Sequence, residues 1–221
     1  ALERYLGDPT NIENTLSFKH AIETDESEEF PEAEMNLLHQ WGTPLYYIPV
    51  EYGGKLNSYE EMFALIRVMA RRDQSVAVSD MHTFLGALPV WLEGTEAQKQ
   101  KLSAFIRWDN CSGSACLAVS EKAHGSDLIA TETQALSTEK GYIFSGEKWP
   151  INKGTLTKSV TVLAKTDDGR NTRSLSLFLV YKDELKPGDY SHLPKIKTLG
   201  LRSSDISGIR FDRCILPEDS R

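Results

Sequence analysis

Few residues have the type and spacing to do chemistry. The five histidines, His20, His39, His82, His124 and His192, form no H-E-x-x-H pair. The three cysteines, Cys111, Cys116 and Cys214, lack paired metal-ligand spacings, and their odd number fits a reducing compartment better than a disulfide framework. No metal site is expected. The stretch from Gly141 through Gly146 to Glu147 and Lys148 comes near a phosphate loop, but Glu147 separates the second glycine from the lysine and no Ser or Thr follows. Such a loop must present successive N–H groups at a helix start, whereas Tyr142 to Ser145 reads as strand. Neither G-x-G-x-x-G nor G-x-S-x-G occurs, so dinucleotide-fold and hydrolase-elbow chemistries lack support. Three ordered segments remain: Leu117-Ala118-Val119-Ser120-Glu121-Lys122-Ala123-His124-Gly125-Ser126-Asp127, Gly146-Glu147-Lys148-Trp149-Pro150-Ile151-Asn152, and Leu199-Gly200-Leu201-Arg202-Ser203-Ser204-Asp205.

The elements that must carry these segments divide the chain in two. Ser58 with Glu61 forms a capping box that opens a helix, and Met62, Phe63, Leu65, Ile66, Met69 and Ala70 give it a broad apolar face. Val76 to Leu92 is apolar on nearly every side, as in a helix enclosed by neighbours, and Thr95 with Gln98 repeats the cap before a segment running to about Trp108. Upstream, Phe30 to Trp41 has helical spacing and stops at Gly42. After Ser112 the pattern shortens and becomes β-branched or aromatic: Ser114–Val119, Thr131–Leu136, Tyr142–Ser145, Ser159–Lys165, Leu175–Tyr181 and Ile206–Phe211 read as strands. No helical pattern separates them, which argues against βαβ crossovers and for antiparallel pairing. The expected fold class is α+β: an N-terminal α-helical domain, residues 1–112, followed by an antiparallel β-barrel or sandwich domain, residues 113–221.

The 221 residues suffice for two such bodies, and 40% hydrophobic with 26% charged residues is ordinary globular composition. A net charge of -7 excludes a basic nucleic-acid footprint. Much of the acidity sits in Glu23, Asp25, Glu26, Glu28, Glu29, Glu32 and Glu34, read as a solvated helix face or acidic connector. No stretch approaches the roughly 18 apolar residues of a membrane helix, and the N-terminus lacks a secretion-signal pattern, so a soluble, cytoplasmic protein is expected.

In its three segments the chain resembles the acyl-CoA dehydrogenase family, with supporting matches at Pro49-Val50-Glu51-Tyr52-Gly53-Gly54, Gly94-Thr95-Glu96-Ala97-Gln98-Lys99, Phe211-Asp212 and Leu216-Pro217. The resemblance implies a helical N-terminal domain, a β middle domain and a further C-terminal helical domain, with FAD lying between the middle domain and the helices. It implies that Leu117, Val119 and Ser120 lie against the flavin, because a flavin accepting hydride needs donors where negative charge accumulates. The alternative for Leu117 and Val119 is filling of the sheet core. Gly125 and Ser126 match positions beside the flavin and the pantetheine path of the substrate, or else form an ordinary polar turn. The family order Lys, Met, Trp, Ile, Thr is altered here, since Trp149 comes one place early and Pro150 has no N–H to donate. Trp149 and Asn152 are still the residues the resemblance places at the ring, a core role for Trp149 being the alternative.

Met81, Phe84, Leu85, Leu88 and Val90 match the acyl-pocket region, so Phe84, Leu88 and Ser126 are candidate substrate contacts, with helix packing as the competing role. Arg202 is read either as an anchor for an anionic group or as a partner of Asp205 or Asp212. The implied reaction is α,β-dehydrogenation of an acyl thioester carried on CoA or an acyl carrier protein, by an enzyme that is a homo-oligomer when complete. The family's base, a glutamate, comes from the C-terminal domain, so no catalytic residue is assigned in this chain. That domain is expected to lie outside this polypeptide, leaving it to bind FAD weakly or not at all and unable by itself to turn over thioesters. Alternatives on the same scaffold are a flavin-dependent monooxygenase or oxidase, and a degenerate, non-catalytic binding domain.

Overall fold

A computed structural model describes residues 1–111, 113–169 and 171–221. Ser112, where the sequence places the domain boundary, lies outside them. The chain forms two compact units. One comprises Ala1–Phe84, Thr95–Ser114 and Lys197–Asp205; the other comprises Leu85–Gly94, Ala115–Ile196 and Ile206–Arg221.

The first unit is helical. It contains α1 (Leu2–Leu6), α2 (Phe18–Ser27), α3 (Glu32–Trp41), α4 (Tyr59–Ala70), the start of α5 (Gln74–Glu93) and α6 (Glu96–Cys111). The caps form as the sequence implies. Ser58 Oγ accepts the Glu61 N–H at 3.2 Å, and Thr95 and Gln98 close a reciprocal box at 3.2 and 2.8 Å. Gly42 ends α3 at φ 92°, a conformation that costs glycine nothing. Leu2, Leu6, Leu16, Met35, Leu38, Met69 and Val76 pack into the core. The enclosed start of α5 also buries Asp80, which accepts Tyr47 OH and, at 3.0 Å, Thr43 Oγ1. The acidic run is not wholly solvated. Glu34 is buried, and burial raises its pKa, because α3 turns it inward beside Met35 and Leu38.

The second unit is a curled sheet of seven strands: β1 (Ala115–Ala118), β2 (Gln134–Thr138), β3 (Gly141–Asn152), β4 (Ser159–Lys165), β5 (Leu175–Tyr181), β6 (Tyr190–Leu193) and β7 (Ile206–Leu216). It is mixed rather than antiparallel. β4 runs parallel to β1 in the register Ala115 to Ser159, and parallel to β2 at Gln134 and Lys165, while β5 pairs antiparallel along its length. Parallel neighbours need a long connection, and the β2–β3 hairpin supplies it where a helix usually does. The core is aromatic: Phe144 meets Phe178 and Phe211 edge-on at 5.4 and 5.1 Å.

Two bulges shape β3. Between Phe144 and Gly146 the extra residue is on β7, where Arg213 takes φ 52°, and Gly146 itself sits at φ 148°. Between Lys148 and Ile151 the extra residue is on β3, so Trp149 and Pro150 together oppose Gly208. The alternation that turns Tyr142 and Phe144 inward therefore also turns Lys148 inward, and the second bulge resets it so that Ile151 rejoins the core.

The end of α5 belongs to this unit. Pro89 interrupts its hydrogen-bond ladder, and the Gly86 carbonyl accepts Thr161 Oγ1 from β4 at 2.6 Å. A Cβ on Gly86 would lie 2.6 Å from the Cys116 backbone nitrogen, so only glycine admits this approach. Among the described residues, no helix is long and apolar enough to cross a membrane. Gly86→Ala is expected to cost about 1–3 kcal/mol through overpacking, read as a lowered urea midpoint. An unchanged midpoint would show that the contact is loose.

Candidate active site at the end of the first strand

β1 alternates in a simple way. Cys116 and Ala118 enter the core, whereas Leu117 points to the other side and is half-buried, as are Val119 and Ser120 beyond the strand end. Leu117 and Val119 thus lie outside the core cluster that was their alternative destination. The chain then makes a tight turn in which Glu121 and His124 exchange backbone hydrogen bonds of 3.0 and 3.1 Å. Gly125 and Ser126 follow on the surface, and a Cβ at Gly125 would meet nothing within 4 Å.

Two groups hold this strand end. The Trp149 N–H donates to the Ser120 carbonyl at 2.9 Å, tying the β3 bulge to the turn. Lys148, fully buried, donates to the Val119 carbonyl at 2.9 Å, to Glu121 Oε1 at 2.8 Å and to Thr131 Oγ1 at 2.8 Å. Those three bonds use every proton of the ammonium. The Glu121 carboxylate accepts in addition from Thr131 Oγ1, from the Glu132 N–H at 2.7 Å, and from the Thr133 N–H and Oγ1 at 3.0 and 2.6 Å.

Burial pushes the Glu121 pKa upward, but the bonds from Lys148, Thr131, Thr133 and Glu132 outweigh it and hold the carboxyl at about 2. Burial lowers the Lys148 pKa while Glu121 opposes the shift. Glu121 is thus an ionised anchor, saturated with donors, and not a base awaiting a proton. Lys148 is the residue whose role sequence reasoning missed. Its signal was its phase, two alternations on from Phe144 in a strand whose inward positions are otherwise apolar or glycine.

The remaining candidates are placed as follows. Trp149 is half-buried in the bulge with the Lys122 ammonium 5.6 Å from its ring centre, and it joins to Pro150 by a cis peptide. Pro150 is exposed at the bulge, where a missing N–H breaks no ladder bond. Asn152 keeps a buried Oδ1 with no hydrogen-bond partner. Ser126 and Leu88 belong to the sheet unit, whereas Phe84 belongs to the helical unit, packed among Tyr47 and Tyr59 at 6.3 and 5.9 Å. The Arg202 Nε and N–H both bind the Asp25 carboxylate, at 2.8 and 3.1 Å, within the helical unit. The reason is that residues 197–205 fold with the helices and not with the strands that flank them.

Residues 13–106 match the acyl-CoA dehydrogenase N-terminal domain and residues 116–214 match the acyl-CoA dehydrogenase middle domain. The chain belongs to the acyl-CoA dehydrogenase family. A Mycobacterium leprae protein named "Probable acyl-CoA dehydrogenase fadE25" is 30% identical over 200 residues, covering 90% of this chain and 50% of its own length. The chain therefore spans about half the length of the relatives it matches. Butyryl-CoA dehydrogenase from Megasphaera elsdenii shares the fold with a TM-score of 0.78 at 22% identity, over 90% of this chain and 52% of that one. An acyl-CoA dehydrogenase from Bacillus anthracis, solved as a complex with FAD, gives 0.78 at 23% identity, over 93% and 36%.

The cofactor of this acyl-CoA dehydrogenase family is FAD, and the strand end of this chain fits a flavin. The Ser120 N–H meets no protein acceptor among the described residues, Asn152 Oδ1 is orphaned, and Gly125 leaves its backbone approachable.

Removing one partner of a buried ion pair leaves an uncompensated charge. Glu121→Gln is expected to destabilise the fold by about 3–5 kcal/mol at neutral pH, measured by urea unfolding. The folded value near 2 lies below the 4.5 of an unperturbed glutamate, so this stabilisation is complete above pH 4.5 and is lost as pH falls through 2. The acid limb of the stability curve should flatten in the variant, and an unchanged limb would remove Glu121 from the account.

Proposed function

We propose that this chain is the N-terminal and middle portion of an FAD-dependent dehydrogenase that introduces an α,β double bond into an acyl thioester of CoA or an acyl carrier protein. The observation that carries the reading is the strand end at Val119–Ser120, anchored from behind by Lys148 and left with a donor that meets no protein acceptor among the described residues. Bound FAD would supply the two-electron acceptor that takes the substrate's β-hydride.

The chain's own residues would bind and orient. Val119 and Ser120 would hold the flavin by backbone and hydroxyl, with Leu117 beside them. Asn152 would offer its side-chain amide, and Trp149 would cover the ring from the bulge. Gly125 and Ser126 would flank the path of the pantetheine arm, and Phe84 and Leu88 would contact the acyl chain. Donors around the thioester carbonyl and a carboxylate within reach of the α-proton complete such a site. Glu121 is not that carboxylate, because Lys148, Thr131, Thr133 and the Glu132 N–H already occupy its oxygens. For this reason the 221-residue chain by itself is expected to bind FAD without oxidising thioesters.

Titrating the purified chain with FAD should give weak but saturable quenching of flavin fluorescence, with no bleaching of the flavin by butyryl-CoA. Failure of any saturable binding would overturn the flavin reading, and bleaching by the thioester would overturn the assignment of the base elsewhere. Gly125→Ala should leave stability within about 0.5 kcal/mol, because its Cβ meets open space, while weakening FAD binding several-fold. Equal affinity would make this segment an ordinary turn.

A further inference from the structure

We infer that Lys148 is a positioning residue for the flavin: its ammonium polarises the Val119–Ser120 peptide and so makes the Ser120 N–H a strengthened donor toward reduced FAD. The inference rests on the flavin reading above and extends it to a residue that the flavin cannot touch.

The carbonyl that Lys148 binds and the N–H of Ser120 belong to one peptide unit. Resonance couples the two ends, so a cation 2.9 Å from the oxygen withdraws electron density from the nitrogen and makes its proton a better donor. A charge-assisted bond to an amide is roughly twice as strong as a neutral one, and burial keeps water from screening it. The ammonium has no other outlet, since its remaining protons go to Glu121 and Thr131.

The peptide is also immobilised. Its oxygen is held by Lys148, and the next carbonyl, that of Ser120, is held by the Trp149 N–H at 2.9 Å. What these anchors leave over is the Ser120 N–H, half-buried at the strand end and without a protein acceptor among the described residues. Glu121 keeps the lysine charged and in place, so the pair acts at the strand end as a fixed dipole with its positive end against the Val119 oxygen. Two-electron reduction makes a flavin more electron-rich. A strengthened donor therefore favours the reduced over the oxidised cofactor, whereas a staple that merely held the loop would favour both alike.

The test compares dissociation constants for oxidised FAD and for dithionite-reduced FAD in the whole chain and in Lys148→Arg, Lys148→Met and the double variant Glu121→Leu with Lys148→Met. The double variant removes both charges together and so leaves no buried ion unpaired should Lys148→Met alone fail to fold. The reduced-over-oxidised preference should fall about tenfold in the methionine variants, equivalent to a reduction potential lower by about 30 mV for a two-electron couple, and should be retained in Lys148→Arg. In the FAD-free chain the Ser120 amide proton should move upfield in the methionine variants and not in Lys148→Arg. A preference unchanged within twofold in a folded methionine variant would overturn the inference while leaving the flavin reading intact. Absence of saturable FAD binding by the unmodified chain would overturn the flavin reading itself and this inference with it.

Discussion

A protonated amine enclosed within a sheet must find acceptors for all its hydrogens, and the sheet unit is organised around meeting that demand for Lys148. An isolated buried ammonium would lose its charge or unfold its surroundings. Here the Val119 carbonyl and Glu121 carboxylate from one stretch of chain and the Thr131 hydroxyl from another meet it. The carboxylate in turn gathers Thr131, Thr133 and the Glu132 N–H. One charge thus locks the end of β1, the approach to β2 and the middle of β3 into a single arrangement, and that arrangement leaves the strand end open with a donor to spare.

The helical unit solves a similar problem by other means. Asp80 lies on a helix enclosed by neighbours and is satisfied by Tyr47 and Thr43, with His39 Nε2 at 3.8 Å from it. Arg72, also buried, binds the carbonyls of Leu6, Gly7 and Leu16 and so fastens the first residues of the chain to the bundle. In both units the buried charges tie segments that are distant in sequence.

Much of this was legible beforehand, for reasons that differ by element. The helix caps at Ser58 and Thr95 are local chemistry and could be read directly. β4 and β5 were bounded correctly because each is rich in β-branched, aliphatic and aromatic residues and is flanked by polar, turn-forming residues. β3 was cut short at Ser145 because a buried lysine and a proline read as the end of a strand, when they are the inward position and the bulge of the same strand. β6 was missed because Tyr190 to Leu193 is half-exposed and barely periodic, and α2 because its apolar residues, Phe18 and Ile22, face outward. The parallel partners of β4 were beyond reach, since periodicity records which face a residue takes and says nothing about which strand lies beside it. At the site, the segment order pointed to the end of β1, but the pairing of Glu121 with Lys148 depends on which strand lies beside the turn after β1, which periodicity does not record.

Those bulges bear on how a motif of this kind can drift. Opposite Gly208 the sheet counts two residues against one, and it is this count that returns Ile151 to the interior after Lys148. The identities of the two residues are comparatively free, because Trp149 is half-buried and Pro150 is on the outside. An indole can therefore migrate by one position along the sequence without disturbing the strand, provided nothing is inserted or deleted. Loss of a single residue there would rotate everything downstream by half a turn of the pleat, carrying Ile151 to the solvent side, which is why spacing in this stretch is the stricter constraint and composition the looser one.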